Sequence, residues 1–271
     1  MESPAEFRRI LVAVKDPGAR ALPAVNKSVQ LARVLGAEVE LFHAIDSPYY
    51  TDMLGMNTAR GERMADEARG EYLQRLERIA ARARLHAPRV SAAVECDYPL
   101  HEAVLRRGLA IGADLLVAEC HAGRRFAPAL LRLADRELLR SSVLPLLLVK
   151  GNRPYHHPTI VLALAPGGAS AQSGRLAAIA ERLAAGLRGR LHAVPGGAAA
   201  VAAAARRLKA DLVIAGEMVR PGIKRVLLGD RAARLLESVP CDLLILRPRT
   251  SGAEVARASR GARLVAVEPL G

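Results

Sequence analysis

Short apolar runs rich in Val, Ile and Leu alternate along the chain with longer segments whose apolar residues recur every third or fourth position. The first pattern reads as strands and the second as amphipathic helices. FRRILVAVKD (7–16) is the first predicted strand and ends at the turn signal Asp16-Pro17-Gly18. Pro23 to Gly36 predicts a helix, with Val25, Val29, Ala32 and Leu35 on one face and Gly36 as its stop. EVELFHAID (38–46) is a second strand, and residues 47–61, with Pro48, Gly55 and Gly61, read as an irregular excursion. A helix follows from about Met64 to His86, with Leu73, Leu76, Ala80 and Ala83 in one stripe. The strand RVSAAVECD (89–97), a helix from Pro99 to Gly112 and the strand DLLVAEC (114–120) come next. A helix over about 126–141 and the strand LPLLLVK (144–150) close the first half. Five strands joined by helical crossovers predict a parallel sheet covered on both faces.

GNRPYHHP (151–158) interrupts this rhythm, which then restarts. TIVLALAP (159–166), LHAVP (191–195), DLVIAG (211–216) and CDLLILRP (241–248) read as strands. Helices are expected over Arg175 to Leu187, about 197–209 and within about 223–238. ADLLVAE (113–119) matches ADLVIAG (210–216), and SSVLPLLLVK (141–150) matches ESVPCDLLILRP (237–248), so the chain is an internal repeat. The expected division is a first domain over 1–151, a linker over 152–158, a second domain over 159–248 and a tail over 249–271. The second copy is short. Too few residues separate LHAVP from DLVIAG for more than one helical crossover, so it should have four strands where the first has five. Its open side is expected to be covered by a partner or a second protomer. LPLLLVK and CDLLILRP are too apolar for exposed edges, so the two copies are expected to pair through them.

Composition narrows the function class. Of 271 residues, 51% are hydrophobic and 25% charged, which suits a folded protein with a sizeable core. No apolar run reaches the roughly 18 residues of a membrane helix. MESPAEFRRI lacks a basic-then-apolar leader, and Cys96, Cys120 and Cys241 are odd in number and far apart. Both features point to a reducing, cytoplasmic setting. The net charge is +13, and residues 152–271 hold 18 basic against 8 acidic side chains, whereas residues 1–151 hold 22 against 19. Such charge permits contact with nucleic acid, but with no Trp, 3 Phe and 5 Tyr a base-stacking platform is not expected.

The stretch ADLVIAGEMVRPGIKRVLLGDRAARLLESVPCDLLILRP (210–248) resembles the universal stress protein family. The tandem layout over about residues 7–248 is similar to its two-domain bacterial subgroup, as are CDYPLHEAVLRR (96–107) and ADRELLRSSVLPLLLVK (134–150). The resemblance implies two tandem doubly wound α/β domains of the adenine-nucleotide-hydrolase-like type, the second shortened by one helix and one strand. It also implies a non-catalytic role in the stress response, exercised by binding. Some members bind ATP through a loop G-x2-G-x9-G-[ST] after the fourth strand. Glycines there let backbone amides approach phosphate, and the following helix N-terminus favours negative charge.

That loop is altered in both copies. In the second, Gly216 and Gly229 hold the first and third glycine positions, but Val219 replaces the second glycine and Asp230 the hydroxyl residue. Val219 adds bulk on the phosphate path and Asp230 sets a negative charge beside it. Gly222 is an extra glycine, while Lys224, Arg225 and Arg231 offset part of the acid's charge. In the first copy Glu119 and Ala122 stand at the first two positions, and Asp135 lies near the third. The family acid after the first strand corresponds to Asp16, and to Ala165 in the second copy. The expected first-domain cleft is therefore Asp16, Glu119 and His121. These loops predict weak or absent ATP binding, so no cofactor is assigned. An ATP-binding regulatory protein is the alternative, and a nucleic-acid-associated basic protein a further one. The expected partner is a protein or a second copy of the chain, with a small-molecule ligand left open and no membrane contact. No CxxC or HxxxH spacing points to a metal. Cys120 and His121 are neighbours on a strand and point to opposite faces, against a nucleophile–base pair. His156 and His157 are expected in solvent, and Cys96 and Cys241 in the core.

Overall fold

The computed structural model describes residues 7–45, 59–87, 89–97, 99–120, 129–164, 171–216 and 229–247. Among them, β1 (Arg9–Ala13), β2 (Glu38–Ile45), β3 (Val90–Cys96), β4 (Leu115–Glu119) and β5 (Leu146–Val149) belong to the first copy. β6 (Thr159–Leu164), β7 (Arg190–Pro195), β8 (Leu212–Gly216) and β9 (Asp242–Leu246) belong to the second. The helices are α1 (Pro23–Leu35), α2 (Ala59–Ala83), α3 (Leu100–Ala110), α4 (Ala129–Ser141), α5 (Ala171–Gly186), α6 (Ala198–Arg207) and α7 (Gly229–Ser238).

All nine strands form one sheet in the order β3-β2-β1-β4-β5-β9-β8-β6-β7. Every pair is parallel except β5 with β9, where Leu146, Leu147 and Leu148 face Ile245, Leu244 and Leu243 in antiparallel register. The expected pairing of the two copies through their last strands is thus what the sheet shows. The second copy contributes four strands among the described residues. Among the described residues it has no counterpart of β3, and β7 ends the described sheet.

The side-chain period of two divides each strand between two apolar layers. On one face Ile10, Val12, Leu147 and Leu244 pack with α1, α2 and α5. On the other, Leu11, Leu116, Leu146 and Ile245 pack with α3, α4, α6 and α7. The inter-copy joint follows an approximate two-fold axis, because α1 contacts its own counterpart α5, and α4 its counterpart α7. The α1–α5 crossing is tight. A Cβ on Gly186 would lie 2.1 Å from Val34 Cγ1, so only glycine lets the helices approach this closely.

The repeated Ala-Asp before β4 and β8 has a physical role in both copies. Asp114 Oδ2 accepts the N–H groups of Arg8 and Arg9 at 2.9 and 3.0 Å, fixing the entry to β1. Asp211 Oδ2 accepts the N–H of Thr159 at 2.8 Å, fixing the entry to β6.

Three expectations need correction. α2 begins at Ala59, so the irregular excursion does not extend to Gly61. Its buried stripe runs through Ala65, Leu76, Ala80 and Ala83, with Tyr72 packed against it, while Leu73 is 36% exposed. β1 ends at Ala13, three residues short of the turn, because Asp16 is already exposed and Asp16 Oδ1 accepts the Gly18 N–H at 2.7 Å. The expected excursion over 47–58, Pro88 and the tail over 249–271 lie outside the described residues.

The linker is anchored, not merely a spacer. Tyr155 is 5% exposed, and its N–H donates to Gln30 Oε1 on α1 at 2.9 Å. Asp242, at the start of β9, is 1% exposed and accepts four hydrogen bonds. Oδ2 receives the Tyr155 hydroxyl at 2.7 Å and the Lys27 ammonium, and Oδ1 the N–H groups of Lys150 and Gly151 at 2.8 and 3.1 Å. Lys27 Nζ also lies 4.8 Å from the centre of the Tyr155 ring, a cation–π contact. One carboxylate therefore joins α1, the end of β5, the linker and β9.

Candidate functional site

In an open α/β sheet, ligands enter at the carboxyl ends of the strands, where the strand order reverses. Here that point lies between β1 and β4, and again between β6 and β8. Asp16 and Glu119 reach the first of these edges from adjacent strands. Asp16 is exposed and spends one carboxylate oxygen on its own turn. Glu119 is half-buried, and His121 lies outside the described residues.

An ion pair stands on the α3–α4 side of this edge. Lys15 Nζ and Asp135 Oδ1 stand 2.7 Å apart, with the Asp135 side chain 2% exposed. The residual cavity, walled by Phe42, Leu100, Val104 and Leu138 around this ion pair, holds about 20 Å³. That is room for about one water molecule. Sequence inspection places Asp135 only near a lost glycine position. Its pairing with Lys15 depends on α4 returning to β1, which a local pattern does not reveal.

In the second copy Gly216 ends β8, half-buried and paired with Leu246. Gly229 opens α7, and Asp230 and Arg231 fall in its first turn, where the family loop would meet its helix. Val219 and Gly222, and the residues between Gly216 and Gly229, lie outside the described residues, as do Ala165 and the turn after β6.

Buried titratable groups cluster elsewhere. His43 on β2 hydrogen-bonds the Val14 carbonyl through Nδ1 at 2.7 Å and stacks 4.7 Å from Tyr72. Burial holds its pKa below the ordinary 6.5, although the Val14 carbonyl and Asp16 oppose the shift. Lys150 donates to the carbonyls of Leu236 and Val239, the latter at 2.8 Å, and so caps the end of α7. Burial lowers its pKa against the opposing pull of Cys120, Cys241, Asp242 and Asp135. Burial first, and then Asp242, pushes the Cys241 thiol up to about 12 and raises the Tyr155 hydroxyl well above 10.0.

Those last two shifts fix an alkaline limit. Both groups keep their protons in the fold, whereas the unfolded chain releases them from pH 9.0 and 10.0 upward. Their contribution is complete below about pH 9 and fades as pH rises toward 12. Urea unfolding at pH 8, 9, 10 and 11 should show stability falling from pH 9, with a shallower fall in Cys241→Ala. A flat profile to pH 11 would contradict the burial of this pair.

Cys241 and Cys120 are buried and Cys96 is half-buried, and none of the three forms a disulfide among the described residues. His156 and His157 are exposed. No group of three metal-ligand side chains is found among the described residues, and no described helix is long and apolar enough to cross a membrane.

A three-layer pair of doubly wound domains, fused through antiparallel terminal strands into one sheet, defines a tandem α/β protein. The model of the universal stress protein family matches residues 6–150 and 169–247, and the chain belongs to that family. A putative universal stress protein from Pseudomonas aeruginosa UCBPP-PA14 is 18% identical and shares the fold with a TM-score of 0.70, over 96% of this chain and 100% of that one. A functionally unknown protein from Pseudomonas aeruginosa PAO1 is 20% identical, with a TM-score of 0.69 over 96% and 98% of the two chains. A universal stress protein from Archaeoglobus fulgidus is 13% identical, with a TM-score of 0.59 over 88% and 96%. No curated protein sequence matches the chain.

Proposed function

We propose that this universal stress protein acts by binding, without catalysis, in a cytoplasmic setting, and that neither of its two family clefts holds ATP. The observation that carries this reading is the Lys15–Asp135 pair across the first cleft, with about 20 Å³ left beside it. An adenine nucleotide needs a site of several hundred Å³. Opening one would break the Lys15–Asp135 contact, whose Asp135 side chain is 2% exposed. The second cleft is weakened by its composition: Val219 and Asp230 bring bulk and negative charge to a loop that must receive phosphate.

Calorimetric titration of ATP alongside GTP and CTP tests the proposal, since a cleft that reads adenine must prefer ATP. The expected result is no selectivity for ATP. Micromolar binding of ATP over the other two would overturn it. In the same assay Val219→Gly with Asp230→Ser should raise ATP affinity by about tenfold or more, because each change removes a separate obstacle worth about 1 kcal/mol.

A further inference from the structure

A second, larger cavity lies between the outer surfaces of α1 and α2. It holds about 1000 Å³ and is closed at its ends by the turn Pro17–Leu22 and by Asn152 and Pro154 of the linker. Its charged lining is of one sign: Arg20 from the turn, Arg33 from α1, Arg75, Arg78 and Arg82 from α2, and His86 just beyond it. Among the described residues no Asp or Glu lines it.

The arrangement follows from the helices. Arg75, Arg78 and Arg82 stand at helical spacing on one stripe of α2. Three acids of that helix pair with arginines: Asp66 with Arg69, Glu77 with Arg84, and Glu71 with the groove's own Arg75, while Glu67 is exposed. Arg20, Arg33 and Arg82 have no acidic partner among the described residues. The floor includes Val25, Val29 and Ile79, so the guanidinium groups stand over an apolar base where charge is less screened than in open water. The first turn of α1 borders the same space and carries neither a side-chain cap nor an acid, so no side chain of that turn offsets the positive end of the helix dipole.

We propose that this groove binds an oligophosphate, an anion with several consecutive phosphate groups, through Arg20, Arg33, Arg75, Arg78 and Arg82. Guanidinium forks match phosphate oxygens in pairs, and five of them around one cavity suit a ligand with several such groups. The volume fits a small molecule. The walls supply charge without a built pocket for a base, so recognition is of the phosphates and indifferent to any nucleoside. The groove meets the first family cleft only at the turn after Asp16, and the proposal does not depend on how the clefts are read.

The test is titration of inorganic tripolyphosphate into the full-length protein at low and moderate salt, beside ATP and GTP. Tripolyphosphate should bind, ATP and GTP should bind with equal affinity to each other, and added salt should weaken all three, as expected for exposed charges. Arg33→Gln with Arg78→Gln and Arg82→Gln should lower tripolyphosphate affinity by about tenfold or more, while the lysine versions retain part of it. Arg140→Gln with Arg190→Gln and Arg207→Gln, an equal loss of exposed charge elsewhere, should change it by about twofold or less. All six residues lie on the solvent side, so the variants should keep the parent melting temperature. Absence of tripolyphosphate binding, or equal losses in the two triple variants, would overturn the proposal. A preference between ATP and GTP that vanishes with the groove arginines would overturn its indifference to the base.

Discussion

Replacing Asp242 with alanine should cost about 3–5 kcal/mol of stability, the scale for breaking a buried ion pair by removing one partner. Lys27 is 3% exposed and would stay buried with no counter-charge. The Tyr155 hydroxyl and the N–H groups of Lys150 and Gly151 would lose their acceptor together. The loss falls at the joint, because the carboxylate is on β9 while Lys27 is on α1 of the other copy. Asp242→Asn keeps the shape and leaves an acceptor for two N–H groups, so it should cost less. Pairing Asp242→Asn with Lys27→Met should recover much of the loss, since the stranded ammonium is removed. Denaturant unfolding of the four proteins measures this directly. A loss under about 1 kcal/mol for Asp242→Ala would mean that the carboxylate is not paired as described.

The second large effect is expected at the centre of the β5–β9 pairing. Leu147 and Leu244 face each other across the two copies, 1% and 2% exposed, in the layer beneath α1 and α5. Leu244→Ala removes buried methyl groups and leaves a cavity that a rigid sheet cannot collapse, for a cost of about 2–5 kcal/mol. Leu147→Ala should cost a similar amount, and the double variant less than the sum, because both truncations open one shared space. Leu73→Ala on α2 is the control: that side chain is 36% exposed, and the change should stay within about 0.5 kcal/mol. If Leu244→Ala behaved like the control, the copies would not be joined through this strand pair.

The fold was legible because parallel strands buried on both faces are written as continuous apolar runs. LPLLLVK, DLVIAG and CDLLILRP declare themselves without regard to their partners. The four strands that the second copy shows among the described residues were legible from the short spacing between LHAVP and DLVIAG. The site was less so, for reasons that differ by residue. Asp135 looks like one more helical acid until α4 packs against β1 and brings it to Lys15. Tyr155 sits in a Pro- and Gly-containing segment that reads as a spacer, yet it is drawn inward by a carboxylate 87 residues away. Asp242, an acid within an apolar strand, was the available signal for that network. The arginine groove escaped notice because charge was weighed by halves of the sequence. The first half is nearly neutral overall, but the described groove gathers five arginines while Asp66 and Glu77 of α2 pair with arginines outside it. A net charge cannot report such a division.

The most direct test of the whole account is nuclear magnetic resonance mapping of ATP on the full-length protein. Amide signals of Lys15, Asp16, Glu119 and Gly216 report the two family clefts, and those of Arg33, Arg78 and Arg82 report the groove. The account predicts that ATP and GTP move the groove signals alike and leave the cleft signals in place. Saturable shifts at Lys15 and Glu119, or at Gly216, with ATP and not with GTP, would contradict it.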